Sequence, residues 1–271
     1  MGKKIRSKAG GGAAAAARAV ERLVKIMAKL RAPGGCPWDR KQTHKSLLPY
    51  LVEETYELKD AVLAQRPEQM KEELGDLLLQ IVFHAQMASE RERFNLGDVA
   101  DGIADKLERR HPHVFGPAKR RLTPDEVLGN WEKIKLGESG DRSKSVLEGV
   151  PRSMPALLRA YRVQEKVAQF GFDWQRAEEV EAKLHEEVRE FHEALAAGDQ
   201  RAAEDELGDL LFTLVNLARH LKVDPETALN RTNEKFATRF RAMEQSLRNS
   251  GIDLHEAGLD AMEEHWQKVK S

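Results

Sequence analysis

The sequence has little of what marks several common classes of protein. It contains one cysteine, Cys36, which excludes an intramolecular disulfide and suits a reducing cytosol. No apolar run approaches the roughly eighteen residues of a membrane span, so we expect a soluble protein. Aromatic residues make up only 6% of the chain, whereas leucine, alanine, glutamate, lysine and arginine are abundant. That composition is typical of a helix-rich protein and gives no indication of an extended sheet.

The balance of charge argues against a nucleic-acid-binding body. The 271 residues carry a formal net charge of −1, and four basic residues lie within the first eight positions, which leaves the remainder near −5. We predict that residues 1–17 form a flexible tail, which is basic at first and then rich in glycine and alanine. Charged residues from Arg18 onward interrupt the apolar segment that a secretory signal would need.

One pattern of acidic residues occurs twice in the chain. Residues 53–57, Glu-Glu-Thr-Tyr-Glu, are followed after fifteen residues by 73–78, Glu-Leu-Gly-Asp-Leu-Leu. The same arrangement returns 133 positions later, at 186–190 and 206–211, without a gap. Of the thirty-three positions from 53 to 85, thirteen are identical in the two copies. Duplication is the economical explanation, and it predicts two homologous domains.

Hydrophobic periodicity predicts an all-α fold. Val20, Leu23 and Met27 recur at intervals of three and four residues, which places them on one face of a helix beginning near residue 13. Residues 137–152 have the composition of a linker. We therefore predict a first domain at 18–136, a linker at 137–152 and a second domain at 153–271.

Acids separated by three residues share one face of a helix, so each copy offers two acidic pairs on two successive helices. The helix predicted at about 67–91 is apolar over most of its circumference and spares a narrow polar stripe, which recurs in the second copy. The stripe residues are Glu73, Asp76 and Gln80, then Glu206, Asp209, Thr213, Asn216 and His220. We expect this stripe to face inward, towards something polar.

A single Glu-x-x-Glu is usually a solvated helix face, but apolar neighbours change the energetics here. Two unit charges about 6 Å apart repel by roughly 0.7 kcal/mol in water and by nearer 3 kcal/mol at an effective dielectric constant of about 20. Four acids between apolar helices need a cation, or they must bind protons. All the candidate ligands are carboxylate oxygens, which favours Mg²⁺, with Mn²⁺ as a substitute, over zinc. The sequence contains no Walker-type or Gly-x-Gly-x-x-Gly phosphate loop.

Two further pairs of residues suit a phosphate substrate. Lys235 and Arg239, one helical turn apart, could clamp phosphate, although an ordinary exposed basic face explains them equally well. Trp266 and Lys270 could stack on a base and neutralise a phosphate, and the alternative is a core tryptophan that anchors the last helix. We interpret Cys36 as a packing residue rather than a nucleophile, because no motif places an activating base beside it.

At these residues the sequence resembles the MazG family of all-α nucleoside triphosphate pyrophosphohydrolases, whose signature is Glu-x-x-Glu, a spacer and Glu-x-x-Asp. The likeness covers about residues 20–271 and includes the segments 35–39, 109–115 and 233–236. It is similar to the full-length form with two tandem domains. The resemblance implies that both domains contribute to four-helix-bundle cores, which are completed when two chains form a homodimer.

The resemblance further implies Mg²⁺-dependent cleavage of nucleoside triphosphates to the monophosphate and pyrophosphate, with broad base tolerance and a role in clearing aberrant nucleotides in the cytoplasm. Nucleic acid and membrane are not expected as partners. The implied metal ligands are Glu54, Glu57, Glu73 and Asp76 in the first domain and Glu187, Glu190, Glu206 and Asp209 in the second. The implied substrate-binding residues are Asn216, Lys235, Arg239, Trp266 and Lys270, of which Lys235 and Arg239 are also catalytic candidates.

The first copy departs from the family pattern. Phe83 stands where Asn216 lies, and the nearest equivalent of the basic pair is the segment 106–110. Our hypothesis is that the second domain performs most of the catalysis, while the first is weaker or mainly structural. Two alternatives remain open: a non-catalytic helical module in which metal holds a dimer together, and an enzyme of the same fold that acts on a phosphorylated metabolite other than a nucleotide.

Overall fold

The structure is a computed structural model that describes residues 9–117, 122–123, 126–127, 130–131, 134 and 145–270. Within these residues the chain forms helices and their connections, with no strand, which confirms the predicted all-α class. None of the described helices is long and apolar enough to cross a membrane. Contacts divide the chain into two compact units, Met1–Leu122 and Thr123–Ser271.

The first unit contains six helices among the residues described. They are α1 (Ala9–Arg31), α2 (Pro37–Lys41), α3 (Leu48–Leu63), α4 (Pro67–Ser89), α5 (Leu96–Arg110) and α6 (Pro112–Phe115). Helices α3 and α4 form a hairpin, and α1 packs against α4. Met27 of α1, Leu47 and the α4 residues Val82, Phe83 and Met87 are the buried core between them.

Five helices of the second unit are described over their whole length, and residues 126–127, 130–131 and 134 are also helical. The five are α7 (Ala156–Ala168), α8 (Ala177–Ala197), α9 (Gln200–His220), α10 (Pro225–Asn249) and α11 (Leu259–Lys270). Helices α8 and α9 form the second hairpin, and α7 packs against α9. The Gln164 side chain joins these two helices by donating from Nε2 to the carbonyl oxygen of Phe212 at 2.8 Å. Met243, Leu247 and Ala257 form a core where α10 meets α11.

Local chemistry sets the limits of two helices. Helix α5 begins after Asn95, which accepts from the backbone N–H of Gly97 and Asp98 while Asp98 accepts from the N–H of Asn95. After α1, Gly35 lies so close to the helix end that an added Cβ would come within 2.2 Å of the Leu30 carbonyl oxygen. Only glycine fits there, where the chain turns back over the last turn of α1.

The start of the chain differs from the prediction. Helix α1 begins at Ala9 rather than near residue 13, so residues 9–17 of the predicted flexible tail are helical. Alanine, which occupies positions 13–17, has the highest helix propensity of any residue, whereas the glycines at 10–12 disfavour a helix. Residues 1–8 and most of the predicted linker, 137–144, lie outside the described residues, and the predicted domain limits stay a prediction.

The two hairpins turn through the same unusual backbone conformation. Gln65, between α3 and α4, has φ of 53°, and Gly198, between α8 and α9, has φ of 69°. These positions are 133 residues apart, which is the offset of the sequence repeat. Glycine adopts left-handed φ values without cost, whereas a residue with a Cβ is strained by about 1 kcal/mol. The first hairpin therefore carries a strain that the second one avoids.

We expect reciprocal substitutions at this position to have opposite effects on stability. Gly198→Ala should lower the free energy of unfolding by about 1 kcal/mol, because alanine adds a Cβ in the left-handed region. Gln65→Gly should raise it by a smaller amount, since relief of strain is partly offset by the greater entropy of glycine in the unfolded chain. Urea denaturation followed by circular dichroism measures both changes. A Gly198→Ala protein as stable as the parent would contradict this account.

Candidate active site

The α3–α4 hairpin brings three of the predicted acids of the first copy together. Glu54 and Glu57 lie one turn apart on α3, and Glu73 reaches them from α4. Each offers a carboxylate oxygen, and these oxygens lie within 4.8 Å of one another. Glu73 is only 7% exposed, whereas Glu57 is open to solvent. The three acids form what we call the first cluster.

The α8–α9 hairpin repeats this arrangement in the second unit. Glu187 and Glu190 of α8 and Glu206 of α9 place one oxygen each within 4.8 Å of the others, and we call these three acids the second cluster. Glu187 is the most buried of them, at 4% exposed. The duplicated acids predicted from sequence spacing are therefore assembled in space twice, each time across a helix hairpin.

The fourth predicted acid of each copy lies near its cluster but outside this tight group. Asp76 is one turn after Glu73 on α4, and its charge helps to raise the pKa of Glu54. Asp209 holds the same position on α9 and helps to raise the pKa of Glu206. Both aspartates are thus within electrostatic reach of the acids they were predicted to join.

Burial and like charges raise the pKa of three of the clustered acids. Burial is the largest cause of the raised pKa of Glu54, followed by the charges of Asp76 and Glu57. The pKa of Glu73 is raised by burial and then by Glu57. In the second cluster, burial followed by Glu190 and Glu187 raises the pKa of Glu206. A divalent cation would relieve this repulsion, and the donors, all carboxylate oxygens, are those that Mg²⁺ and Mn²⁺ prefer.

Sequence reasoning missed one charged residue at the second cluster. The Lys183 ammonium lies 2.7 Å from a carboxylate oxygen of Glu187 and 2.8 Å from one of Glu186. These two hydrogen bonds raise the pKa of Lys183 above its ordinary value. Lys183 precedes Glu187 by four residues on α8, and this spacing in a helix was the available signal.

The polar stripe faces inward, as predicted. Gln80, Thr213 and Asn216 are each 6% exposed. By contrast, Leu207, Leu211 and Leu214 of α9 are between 43% and 46% exposed. Gln80, Thr213 and Asn216 are thus more buried than the exposed apolar residues of the same helices, whereas Asp209 lies exposed.

Asn216 belongs to a network that the sequence did not reveal. Its Oδ1 accepts a hydrogen bond from Arg219 at 2.8 Å. Arg219 also pairs with Asp173, and His220 Nε2 lies 3.2 Å from the same carboxylate. The network fixes the aromatic turn at 170–174 to the end of α9. The substrate contact predicted for Asn216 stays a prediction.

The predicted substrate-binding residues lie on α10 and α11. Lys235 and Lys270 are exposed, and Arg239 is half-buried. Trp266 packs partly into the core beside Met243 and Leu247, and its ring centroid is 5.3 Å from that of Phe236, the residue after Lys235. Trp266 therefore anchors α11 in the core, and its half-exposed ring also leaves stacking on a base open. Among described residues, neither Lys235 nor Arg239 forms an ion pair or hydrogen bond with the acids.

The raised pKa of Glu73 predicts a pH-dependent gain in stability when its charge is removed. A carboxylate with a raised folded-state pKa costs stability above that pKa, and the cost vanishes below its unfolded-state pKa of about 4.3. In the presence of a chelator, Glu73→Gln should therefore melt above the parent near pH 8, and the difference should shrink as the pH falls towards about 4.

Thermal melts across this pH range measure the effect. Glu68→Gln is the matched control, because Glu68 lies on the same helix and its side chain is 90% exposed beside Lys71. This control should show no comparable gain near neutral pH. Equal melting temperatures for Glu73→Gln and the parent near pH 8 would contradict the prediction.

Comparisons with known proteins account for both acidic hairpins. A family model described as the MazG nucleotide pyrophosphohydrolase domain matches residues 42–115 and again 175–243. The chain is 48% identical over 250 residues to the nucleoside triphosphate pyrophosphohydrolase/pyrophosphatase MazG of Thermotoga maritima, covering 92% of this chain and 95% of that protein. It is 46% identical over 255 residues to the nucleoside triphosphate pyrophosphohydrolase of Escherichia coli K12, covering 93% and 97%. With two copies of the domain and such relatives, the chain belongs to the MazG family.

Proposed function

We propose that this protein hydrolyses nucleoside triphosphates to the nucleoside monophosphate and pyrophosphate with Mg²⁺, for which Mn²⁺ can substitute. The observation that carries the proposal is the pair of carboxylate clusters, each with three oxygens within 4.8 Å of one another. Relatives matched over more than nine-tenths of the chain are named for this activity. Broad base tolerance and a role in clearing aberrant nucleotides from the cytoplasm belong to the same proposal.

The second cluster would hold the metal through Glu187, Glu190 and Glu206, with Asp209 one turn further along α9. When bound, the ion supplies positive charge to the phosphate oxygens and makes water more acidic. The oxygen of water bonds to one phosphorus beside the α–β bridging oxygen, and the bond from that phosphorus to the bridge breaks. A carboxylate of the cluster accepts the proton of the water.

Lys235 and Arg239 would neutralise the phosphates that the metal leaves uncompensated. This role is supported because, within the described part of the chain, neither side chain forms an ion pair or a hydrogen bond and both can therefore contact a substrate. Trp266 packs against Phe236, the residue that follows Lys235 on α10, so the ring contacts the helix that carries the basic pair. A base stacked on Trp266 and a phosphate near Lys270 complete the proposed contacts.

We further propose that the second domain performs most of the catalysis. Both hairpins hold an acid cluster, so the acids alone do not distinguish the domains. The first domain has Phe83 in its core where the second has Asn216 on the polar stripe. The basic pair and Trp266 belong to the second unit.

Release of pyrophosphate tests both proposals in one experiment. Parent protein with Mg²⁺ should release pyrophosphate, rather than orthophosphate, from several nucleoside triphosphates. Glu187→Gln with Glu190→Gln should lower the rate by at least about 100-fold, because changes one shell further from a metal already cost 10–100-fold. The matched pair Glu54→Gln with Glu57→Gln should keep most of the activity. Unchanged turnover in the variant with both Glu187→Gln and Glu190→Gln would contradict the proposal that the second domain performs most of the catalysis.

The same assay distinguishes the alternatives. Pyrophosphate from no nucleotide would favour a non-catalytic module in which metal stabilises a helical dimer. Orthophosphate as the product would indicate a different phosphohydrolase. Strong competition by non-nucleotide pyrophosphates would favour a phosphorylated metabolite as the natural substrate.

We propose a homodimer on the basis of the apolar residues that the hairpins leave uncovered. Leu207, Leu211 and Leu214 follow one another at four and three residues on α9 and form an exposed stripe. Leu74 and Ile81 repeat it on α4, at 49% and 45% exposed. Helix hairpins with such stripes are completed as four-helix bundles when a second hairpin covers the leucines.

We expect the parent to have the mass of a dimer in light scattering after gel filtration. Leu207→Glu with Leu211→Glu should shift it to the monomer, because two charges would be buried in an apolar interface. Leu259→Glu is the matched control, since Leu259 is 81% exposed and lies off this stripe. A monomeric parent, or a double variant that stays dimeric, would refute the proposed interface.

A further inference from the structure

The two acid clusters differ in one charge that lies inside the second of them. Lys183 approaches Glu187 at 2.7 Å, and the two side chains are 33% and 6% exposed. A buried ion pair of this kind is costly to break, because Glu187 would be left charged and without a partner. The ammonium thus supplies positive charge at the place where the carboxylates were expected to need a cation.

No such partner of the first cluster is found in the described part of the chain. The position equivalent to Lys183 in the first repeat is Tyr50, 133 residues earlier. Tyr50 precedes Glu54 by four residues, as Lys183 precedes Glu187. The Tyr50 ring instead packs edge-on against Trp38, with centroids 6.1 Å apart. Within the described residues, no lysine or arginine forms an ion pair with the acids of the first cluster.

We propose that Lys183 is a built-in counter-ion that competes with the metal for the second cluster. A divalent ion bound to Glu187 would lie within a few ångströms of the ammonium, which is 2.7 Å from that carboxylate, so the two cations repel each other and compete for its negative charge. The second cluster consequently binds a free divalent ion more weakly than the first, although the two offer the same three glutamates and a nearby aspartate. This inference rests on the metal-binding role of the acids in the proposed function, and it does not depend on catalysis.

The physical argument is one of charge and position. In a metal-free protein the Lys183 ammonium, 2.7 Å from Glu187, offsets the repulsion among the acids of the second cluster. Its positive charge also opposes the approach of a second cation within a few ångströms. The first cluster keeps its repulsion uncompensated, so a metal ion relieves more of it on binding. The repeat therefore contains a matched pair of sites that differ in one charge.

Binding of Mn²⁺ alone, without nucleotide, tests the proposal on the full chain. Glu54→Gln with Glu73→Gln leaves the second cluster as the binding site, and Glu187→Gln with Glu206→Gln leaves the first. Loss of the free Mn²⁺ signal in electron paramagnetic resonance gives each dissociation constant. We expect weaker binding in the protein that retains the second cluster.

Reciprocal substitutions then move the charge between the repeats. Lys183→Met should tighten Mn²⁺ binding at the second cluster by about tenfold or more, because a charge at this distance is worth at least that factor. Tyr50→Lys should weaken binding at the first cluster to a similar extent. Lys183→Arg should keep the affinity low. Arg176→Met, which removes an exposed charge paired with Glu179 from the same unit, should change little.

The possible results separate this proposal from the proposed function. Unchanged or weaker Mn²⁺ binding in Lys183→Met would overturn it, provided that circular dichroism shows the variant to be folded. Absence of Mn²⁺ binding at either cluster would overturn it as well. Failure of the parent to release pyrophosphate from any nucleotide would refute the proposed function while leaving the difference in Mn²⁺ affinity in place.

Discussion

The structure depends on the placement of several carboxylates at the packed faces of two helix hairpins. Each hairpin brings three of them within 4.8 Å, and burial together with mutual repulsion raises the pKa of Glu54, Glu73 and Glu206. Such an arrangement destabilises a metal-free protein near neutral pH, so selection for stability alone would not produce it twice. It is useful to a protein that binds a cation, because the repulsion becomes part of the binding free energy.

The rest of each unit can be understood as support for these acids. The hairpin turns at Gln65 and Gly198 use the same left-handed conformation and so bring the two acidic helices together in the same way. Buried contacts on one side of α4 and α9 hold the polar stripe inward. On the other side the leucines stay uncovered. A second hairpin placed over the leucines would bury them, while the acids would stay on the opposite side of α4 and α9.

The repeats have also diverged in ways that matter for chemistry. Phe83 fills the core of the first unit, whereas Asn216 at the same position enters a network with Arg219 and Asp173. Tyr50 faces Trp38, whereas Lys183 enters the acid cluster. Both differences add polar or charged groups to the second site and remove them from the first. The two clusters thus offer the same kinds of acidic ligand, but the charges and polar groups around them differ.

Much of this could be predicted from the sequence, because helix periodicity and the spacing of the acids depend on local geometry. The three-residue interval put Glu187 and Glu190 on one face, and the 133-residue repeat gave two equivalent hairpins. The tertiary structure decided which side chains meet across helices and which partner a charged group chooses. From the sequence, Lys183 could pair with the acids or stay in solvent, and Asn216 could face substrate or bond to Arg219. Trp266 could lie in the core or at the surface. Sequence spacing could not rank these options, because burial determines how strongly charges attract and only the packed chain determines burial.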